Sequence, residues 1–320
     1  MKKIKWGIAG LGNIAHSFSH DLINVEGAEL AAVASKSLEN AKCFANKFGV
    51  KKFYGSYSEL FADKEIDIIY VSATNDLHAS LTVEALNHGK HVLCEKPVAL
   101  NLAQAKEMVR ASQKNQKFFM EALWTRFNPT LIEVLHHIKR NTIGDVRYIN
   151  ADFAFLAENP KIRLTQKEMG GGALLDIGVY PLFLSYLIFG KPEKILATSI
   201  FYESGVDEQT SMILQYKNAQ SVLHSGFATT SNMVATINGT KGRININSLW
   251  HEAQSFTVIK NNQTLDYHFP TIGKGFTYEI LECHKSIQSG KVESELWSHQ
   301  NSLDLIEIVD RVKSKIGLKF

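Results

Sequence analysis

The sequence predicts an α/β fold joined to an α+β one. A doubly wound parallel sheet is expected over 1–121, and a mostly antiparallel sheet with helices over 122–320. Three observations point there. Short apolar strands alternate with helix-length stretches in the first part. A glycine pattern ends the first strand and opens the first helix. From Ile195 to Phe269 the chain becomes a series of short strands broken by turns.

The first strand, Lys5 to Ala9, runs into Gly10-Leu11-Gly12-Asn13-Ile14-Ala15, the G-x-G-x-x-G/A pattern. Gly10 suits a tight turn, Gly12 the approach of backbone to a pyrophosphate, and Ala15 the packing of helix on sheet. A helix over 14–25 then aims the N–H groups of its first turn, beginning at Asn13 and Ile14, at phosphate. This is the Rossmann arrangement, and it predicts a dinucleotide cofactor. The second strand, Glu29 to Ala34, ends in Ser35-Lys36-Ser37. NAD enzymes place a carboxylate at this strand end to bond the ribose 2′-hydroxyl. Here an ammonium stands between two hydroxyls, which suits a 2′-phosphate, so NADP is favoured over NAD. Ser37 also reads as the cap of a helix over 38–48.

Ile66 to Ser72 is near-continuously apolar, as in a parallel sheet covered on both faces. Thr74 and Asn75 follow at its carboxyl end, on the expected nicotinamide side. His78 opens the next helix, over 77–88, either as a packing histidine or as a cofactor-side group. Gly89 ends that helix. The buried strand from His91 stops at Glu95-Lys96-Pro97, because proline cannot donate a ladder hydrogen bond. A charged pair at the carboxyl end of a buried strand lies where open α/β sheets bind ligands, so Glu95 and Lys96 are expected to face the cofactor. A helix over 102–114 and a strand over 117–120 complete the first domain.

Trp124-Thr125-Arg126-Phe127 precede a helix over 128–140. The arginine suits a phosphate and the tryptophan an apolar ring face. Asp145 to Phe155 is β-rich, with Val146 and Tyr148 set against Arg147 and Asn150, which predicts a sheet with one wetter face. Gly170-Gly171-Gly172 open an apolar helix over 173–189, interrupted by Pro181. Asp176 and Tyr180 are four apart and share a helix face. An aspartate on an apolar helix is costly to bury alone, which makes Asp176 a functional candidate. Strands follow over 209–216, 221–227, 234–238, 243–246, 256–259 and 264–268, the last two joined by a hairpin turn at 260–263. Helices over 278–289 and 298–316 close the chain, the last expected to pack back on the first domain.

Composition excludes several classes. The 320 residues carry 35 basic and 32 acidic side chains, a net charge of +3, which argues against nucleic-acid or membrane-surface binding. No apolar run near 18 residues is evident, so no membrane span is expected. The basic start Met1-Lys2-Lys3 runs into glycines too soon for a leader. Three distant cysteines, Cys43, Cys94 and Cys283, fit reduced thiols in a cytoplasm. Neither His-Glu-x-x-His nor Cys-x-x-Cys occurs, so no metal is expected.

Four motifs stand in order along the chain: Gly10 to Ala15, Thr74-Asn75-x-x-His78, Gly89 to Pro97, and Gly170 to Gly178. With Ile237-Asn238-Gly239-Thr240-Lys241-Gly242 they resemble the Gfo/Idh/MocA oxidoreductases, NAD(P)-dependent dehydrogenases of sugars, cyclitols and related alcohols. Met120 to Pro129 and Asp176-Ile177-Gly178-Val179-Tyr180 resemble the branch of dimeric dihydrodiol dehydrogenase and NADP-dependent D-xylose dehydrogenase. The resemblance implies Tyr180 as acid/base, Lys96 as the cation beside it, and Asp176 as the group that orients Lys96 or binds substrate. It implies Trp124 and Arg126 beside the nicotinamide. It also implies an open-faced second sheet that packs against another subunit, hence a homodimer. Phe153, Phe155, Arg163, Trp250 and Phe276 are candidate pocket residues by type and rough placement. The competing expectation is a non-catalytic NAD(P)- or sugar-sensing protein on the same fold.

Overall fold

The computed structural model describes residues 3–320; Met1 and Lys2, part of the basic start, lie outside the described residues. The chain divides into two compact units, Met1–Trp124 with Ile272–Leu303, and Thr125–Thr271 with Asp304–Phe320. The chain passes from the first unit to the second after Trp124, returns at Ile272 and passes over again after Leu303.

The first unit alternates strand and helix: β1 (Ile4–Ala9), α1 (Asn13–Leu22), β2 (Ala28–Ala34), α2 (Leu38–Phe48), β3 (Lys52–Tyr54), α3 (Tyr57–Ala62), β4 (Ile68–Val71), α4 (His78–Asn87), β5 (His91–Glu95), α5 (Leu102–Asn115) and β6 (Phe119–Ala122). The strands form one sheet in the order β3-β2-β1-β4-β5-β6, with every neighbouring pair parallel. The order reverses between β1 and β4, and the crevice beyond the strand ends at that point is where such sheets hold ligands. β4 and β5 read as apolar runs because they are covered on both faces. Helix starts are set by side chains: Ser37 accepts from Asn40 N at 3.3 Å, and Asn101 accepts from Gln104 N at 3.0 Å. The short β3 and α3 were not expected. α3 nonetheless begins with a side-chain cap, Ser56 Oγ accepting from Glu59 N at 3.3 Å and donating to the Glu59 carboxylate at 2.8 Å.

The second unit holds α6 (Pro129–Lys139), β7 (Val146–Ala154), the single turn α7 (Ile162–Thr165), α8 (Val179–Phe189) and the strands β8 (Lys194–Phe201), β9 (Asp207–Gln215), β10 (Gln220–Gly226), β11 (Ala235–Gly239), β12 (Gly242–Ile246), β13 (Ser255–Lys260) and β14 (Gln263–His268). These strands make an eight-stranded sheet, β14-β13-β12-β11-β7-β10-β9-β8. All its pairs are antiparallel except β7 with β10. On β7 the expected alternation is corrected: Ile149 and Ala151 face the core, while Tyr148 and Asn150 share the outer face. Residues two apart on a strand point the same way, so Tyr148 goes with Asn150. Asn261 and Asn262 both adopt positive φ (52° and 59°), the geometry of a two-residue hairpin turn.

Pro181 does not interrupt the apolar helix. It stands inside a helix that runs on from Ala173, and its ring and missing N–H are accommodated because the turn before it displaces the i→i−4 ladder. The irregularity lies just before it, a π-helical turn at Leu174–Gly178. The whole segment Lys167–Phe189 is long and apolar enough to cross a membrane, contrary to the expectation that no such run exists, but 78% of its apolar window is buried inside the protein. It is the core helix of the second unit.

α9 (Thr277–Gln288) belongs to the first unit, as does the start of α10 (His299–Ile316). Asp21 on α1 accepts from the backbone N–H of Lys274, Gly275 and Phe276 at 2.9–3.0 Å. Trp6 Nε1 donates to His284 at 3.0 Å, Phe119 N to Val292 O at 2.9 Å, and Trp297 Nε1 to Glu121 at 3.2 Å. It is therefore the α9 segment that is built into the first unit, while most of the last helix clusters with the second.

Candidate active site

The turn between β1 and α1 has the geometry that the glycines predict. Gly10 sits at φ +99°, and a Cβ there would meet Ala73 N at 2.5 Å, so only glycine fits. Its N–H donates to Ala34 O at 3.1 Å and its carbonyl accepts from Ser72 Oγ at 2.8 Å, which ties the turn to the ends of β2 and β4. A Cβ on Gly12 would meet nothing within 4 Å. That open space, above an α1 N-terminus capped by no side chain, fits a pyrophosphate. Asn13 and Ile14 form the first turn beneath it.

Beside the turn lies an open cleft of about 570 Å³ lined by Leu11, His16, Ser35, Asn40, Cys43, Phe44 and Lys47. Ser35 is among its lining residues. Ser37 caps α2, and its own N–H donates to Ser35 Oγ at 3.3 Å. Lys36 is exposed. His16 and Lys47 carry no sequence signal; they are far apart in the chain and meet because α1 and α2 pack side by side.

At the ends of β4 and β5 the polar groups form a layered support. Thr74 and Asn75 are half-buried and start a short 3-10 turn. His78 is 1% exposed, with Nδ1 at 2.8 Å from Pro97 O and Nε2 at 3.2 Å from Ala73 O. Burial lowers its pKa, and the single N–H of the neutral ring goes to Pro97 O, the nearer of the two carbonyls, which ties the start of α4 to the turn after β5. Glu95 is buried, accepting from Tyr70 OH at 2.5 Å and from Lys96 N at 3.2 Å. The Lys96–Pro97 peptide is cis, and Val98 N donates to Glu121 at 2.9 Å just beyond it. Burial pushes the Glu121 carboxyl up to about 7. The Lys96 side chain is half-buried at this end of the sheet. Trp124 is 7% exposed and stacks on Phe276 with ring centroids 4.7 Å apart. Phe276 is therefore a packing partner of Trp124, itself 1% exposed.

The second unit places Tyr180 in an aromatic group. Its ring lies 5.4 Å from both Phe153 and His251, and those two stack on each other at 4.1 Å. Tyr180 is 5% exposed. His251 carried no sequence signal beyond its type. Its carbonyl accepts from Thr125 Oγ1 at 2.6 Å, which fixes the loop that presents it. Trp250 is core, its indole N–H donating to Asp152 O at 2.8 Å. Phe155 packs 5.2 Å from Phe227 in a cluster with Leu164, Ala173 and Ile177. Asp176 pairs with Arg163, Oδ1 to Nη1 at 3.0 Å, with the arginine half exposed. The two candidates read separately from the sequence thus form one ion pair.

The turn that carries Asp176 and Tyr180 is anchored from below by Asp207, another residue with no sequence signal. It is fully buried and accepts from Leu174 N and Thr210 Oγ1, both at 2.7 Å. Burial pushes its carboxyl up to about 6. Gly172, at φ +106°, lies so close that a Cβ would strike Asp207. Gly178 is equally constrained, since a Cβ would meet Ser225 Oγ at 2.7 Å. Within the triple glycine, Gly172 is pressed against β9, and a Cβ on Gly171 would meet the carbonyls of Leu164 and Gln166 at 2.8 and 2.9 Å.

Residues 4–123 match the family described as the oxidoreductase family with an NAD-binding Rossmann fold, and 132–245 match the Gfo/Idh/MocA C-terminal domain. The trans-1,2-dihydrobenzene-1,2-diol dehydrogenase of Xenopus tropicalis is 36% identical, over 99% of both chains. That of Homo sapiens is 32% identical over 99% of this chain and 98% of its own. Among solved structures, a 3-ketoreductase from Actinomadura kijaniata in complex with NADP and TDP-benzene superposes with a TM-score of 0.89 at 24% identity, covering 98% of each chain. An aldose-aldose oxidoreductase from Caulobacter crescentus superposes at 0.90 with 23% identity, over 98% of this chain and 97% of its own.

Proposed function

The chain belongs to the Gfo/Idh/MocA oxidoreductase family, and on that premise we propose that it moves a hydride between NADP and a hydroxyl-bearing carbon of a sugar or vicinal diol, with Tyr180 as acid/base assisted by Lys96. Dehydrogenation of a vicinal diol is the activity named for its full-length relatives, and the family matched by the first unit is NAD-binding. The observation that carries the finer reading is the seat of Tyr180. Its phenol is held against Phe153 and His251, on the turn of helix that also carries Asp176.

The nicotinamide supplies the hydride chemistry, and the protein supplies orientation and proton traffic. Tyr180 takes the hydroxyl proton as the alcohol is oxidised and returns it in reverse. A free phenol has a pKa near 10, so a cation must favour its ionised form, and Lys96 is the residue proposed for that. Asp176, with Arg163, orients Lys96 or the substrate hydroxyls. Gly10, Gly12, Asn13 and Ile14 hold the pyrophosphate. Ser35, Lys36 and Ser37 meet the 2′-phosphate, consistent with the missing carboxylate at the end of β2. Thr74, Asn75, Trp124 and Arg126 border the nicotinamide half, with His78 and Glu95 as its supporting layer. Aromatic rings around Tyr180 suit the apolar face of a sugar or a cyclic diol. The outer face of the second sheet is proposed as the contact of a homodimer.

Absorbance of reduced nicotinamide, with NADP and a panel of aldoses, inositols and trans-diols, tests the activity. Tyr180→Phe and Lys96→Met should each lower kcat by about 10²–10⁴ while NADP affinity stays within a few-fold. Near-normal turnover in Tyr180→Phe would remove it as the acid/base. Tight NADP binding with no turnover across the panel would favour a sensor instead.

A further inference from the structure

The cleft between α1 and α2 holds a pair of basic side chains that the family motifs do not include. Lys47, in the last turn of α2, reaches His16 in the first turns of α1, Nζ to Nδ1 at 3.4 Å. An ammonium has no acceptor, so Lys47 donates and His16 Nδ1 accepts. The ring is then the tautomer with its proton on Nε2, and both side chains have donors to give. Burial, together with the charge of Lys47, lowers the His16 pKa, in keeping with that neutral ring. The imidazole is braced by Phe44 at 4.5 Å and Phe48 at 5.7 Å.

The rest of the lining points to an anion. Ser35, Asn40 and Cys43 add polar groups, Leu11 and Phe44 add apolar wall, and none of the lining residues is a carboxylate. Position identifies which anion. Ser35 follows directly on β2, the strand end at which the ribose 2′ position rests. Leu11 belongs to the turn that faces the pyrophosphate, and Gly10 N–H bonds the last carbonyl of β2 at 3.1 Å. A group reached from both places lies one ribose away from the pyrophosphate.

We propose that Lys47 and His16 form the seat of the cofactor 2′-phosphate, so that α2 makes the choice of NADP over NAD from its far end as well as through Ser35 to Ser37. This rests on the NADP reading given above. Lys47 supplies the charge, and His16 holds the ammonium up in the cleft while offering its own N–H to a second phosphate oxygen. A phosphate monoester dianion is the ligand class that uses both.

Binding tests this without any substrate. Dissociation constants for NADP and NAD are measured on the full chain for wild type, Lys47→Gln and His16→Phe, with thermal melts to confirm folding. Lys47→Gln should weaken NADP at least about tenfold, the value of a charge-assisted hydrogen bond, and leave NAD within about twofold. His16→Phe should weaken NADP by less, again sparing NAD. If wild type prefers NADP and Lys47→Gln shifts both cofactors equally, the seat is elsewhere and only this inference falls. If wild type shows no preference, the NADP reading falls and takes the inference with it. Cys43 gives an independent readout. It is exposed in the cleft whereas Cys94 and Cys283 are buried, so a maleimide marks it first. Adenosine 2′,5′-bisphosphate should slow that labelling several-fold and 5′-AMP should not. Equal protection by the two, or none from either, overturns the assignment.

Discussion

Among single residues, Glu279 stands out: neither carboxyl oxygen has a hydrogen-bond partner among the described residues, and the side chain is 0% exposed. Burial, reinforced by the nearby Glu95 and Asp21, holds its pKa well above the usual glutamate range. As pH rises, the unfolded chain therefore loses this proton first. The folded state is favoured below the unfolded value of about 4.3 and loses that advantage progressively above it. Glu279→Gln removes the penalty while keeping the shape. It should stabilise the protein by at least about 1 kcal/mol at pH 8 and by clearly less at pH 5, measured by urea melts. An equal gain at both values would show that Glu279 is not held protonated. Residues of this kind were illegible in the sequence. Glu279, Asp207, His16, Lys47 and His251 owe their settings to partners distant in the chain, and no local pattern marks them. Lys96, Asp176 and Tyr180 can be singled out in the sequence because each stands inside a compact motif, and their roles rest on the proposal above.

At the scale of elements, the outer face of the second sheet presents Leu196 and Ile200 on β8, Ile213 on β9 and Tyr148 on β7, at 52%, 56%, 40% and 37% exposure. The register puts them on one side: Leu196 pairs with Ile213, Ile213 with Val222, and Val222's neighbour two residues back, Gln220, with Tyr148. On the proposed homodimer this row would be the contact. Replacing Leu196 and Ile213 together by glutamate should convert a dimer to monomer in sedimentation equilibrium, with the melt largely retained. A wild-type chain that sediments as a monomer at micromolar concentration would refute the dimer. Elements were legible wherever period and punctuation agreed. The βα alternation and the hairpin at Asn261-Asn262 came through to within a few residues. β3 and α3 were too short to show a period. The π turn at Leu174–Gly178 leaves no mark in the sequence, because a one-residue insertion into an apolar helix leaves it apolar.

For the whole molecule, the second crossing of the chain matters most. The first unit is closed by Ile272–Leu303, which covers Trp6, satisfies Asp21 and bonds Phe119 and Glu121. A fragment ending at Trp124 would leave these groups bare, and should melt without a cooperative transition by circular dichroism. Joining 272–303 to it through a flexible linker should restore one. A cooperative melt for 1–124 alone would contradict this. The return was invisible in the sequence because the bonds that define it span up to 278 residues.

That return has a temporal side. A polypeptide is made from its amino end at about 5–20 residues per second, and domains generally fold as they emerge. Here the first six strands leave the ribosome roughly 180 residues before the segment that completes them. For about 10–35 seconds the nascent chain carries an unfinished cofactor domain with an exposed indole and an unsatisfied carboxylate. Chaperone capture, and any slowing of translation, would act on this interval, and the second unit must be threaded out before the first can close.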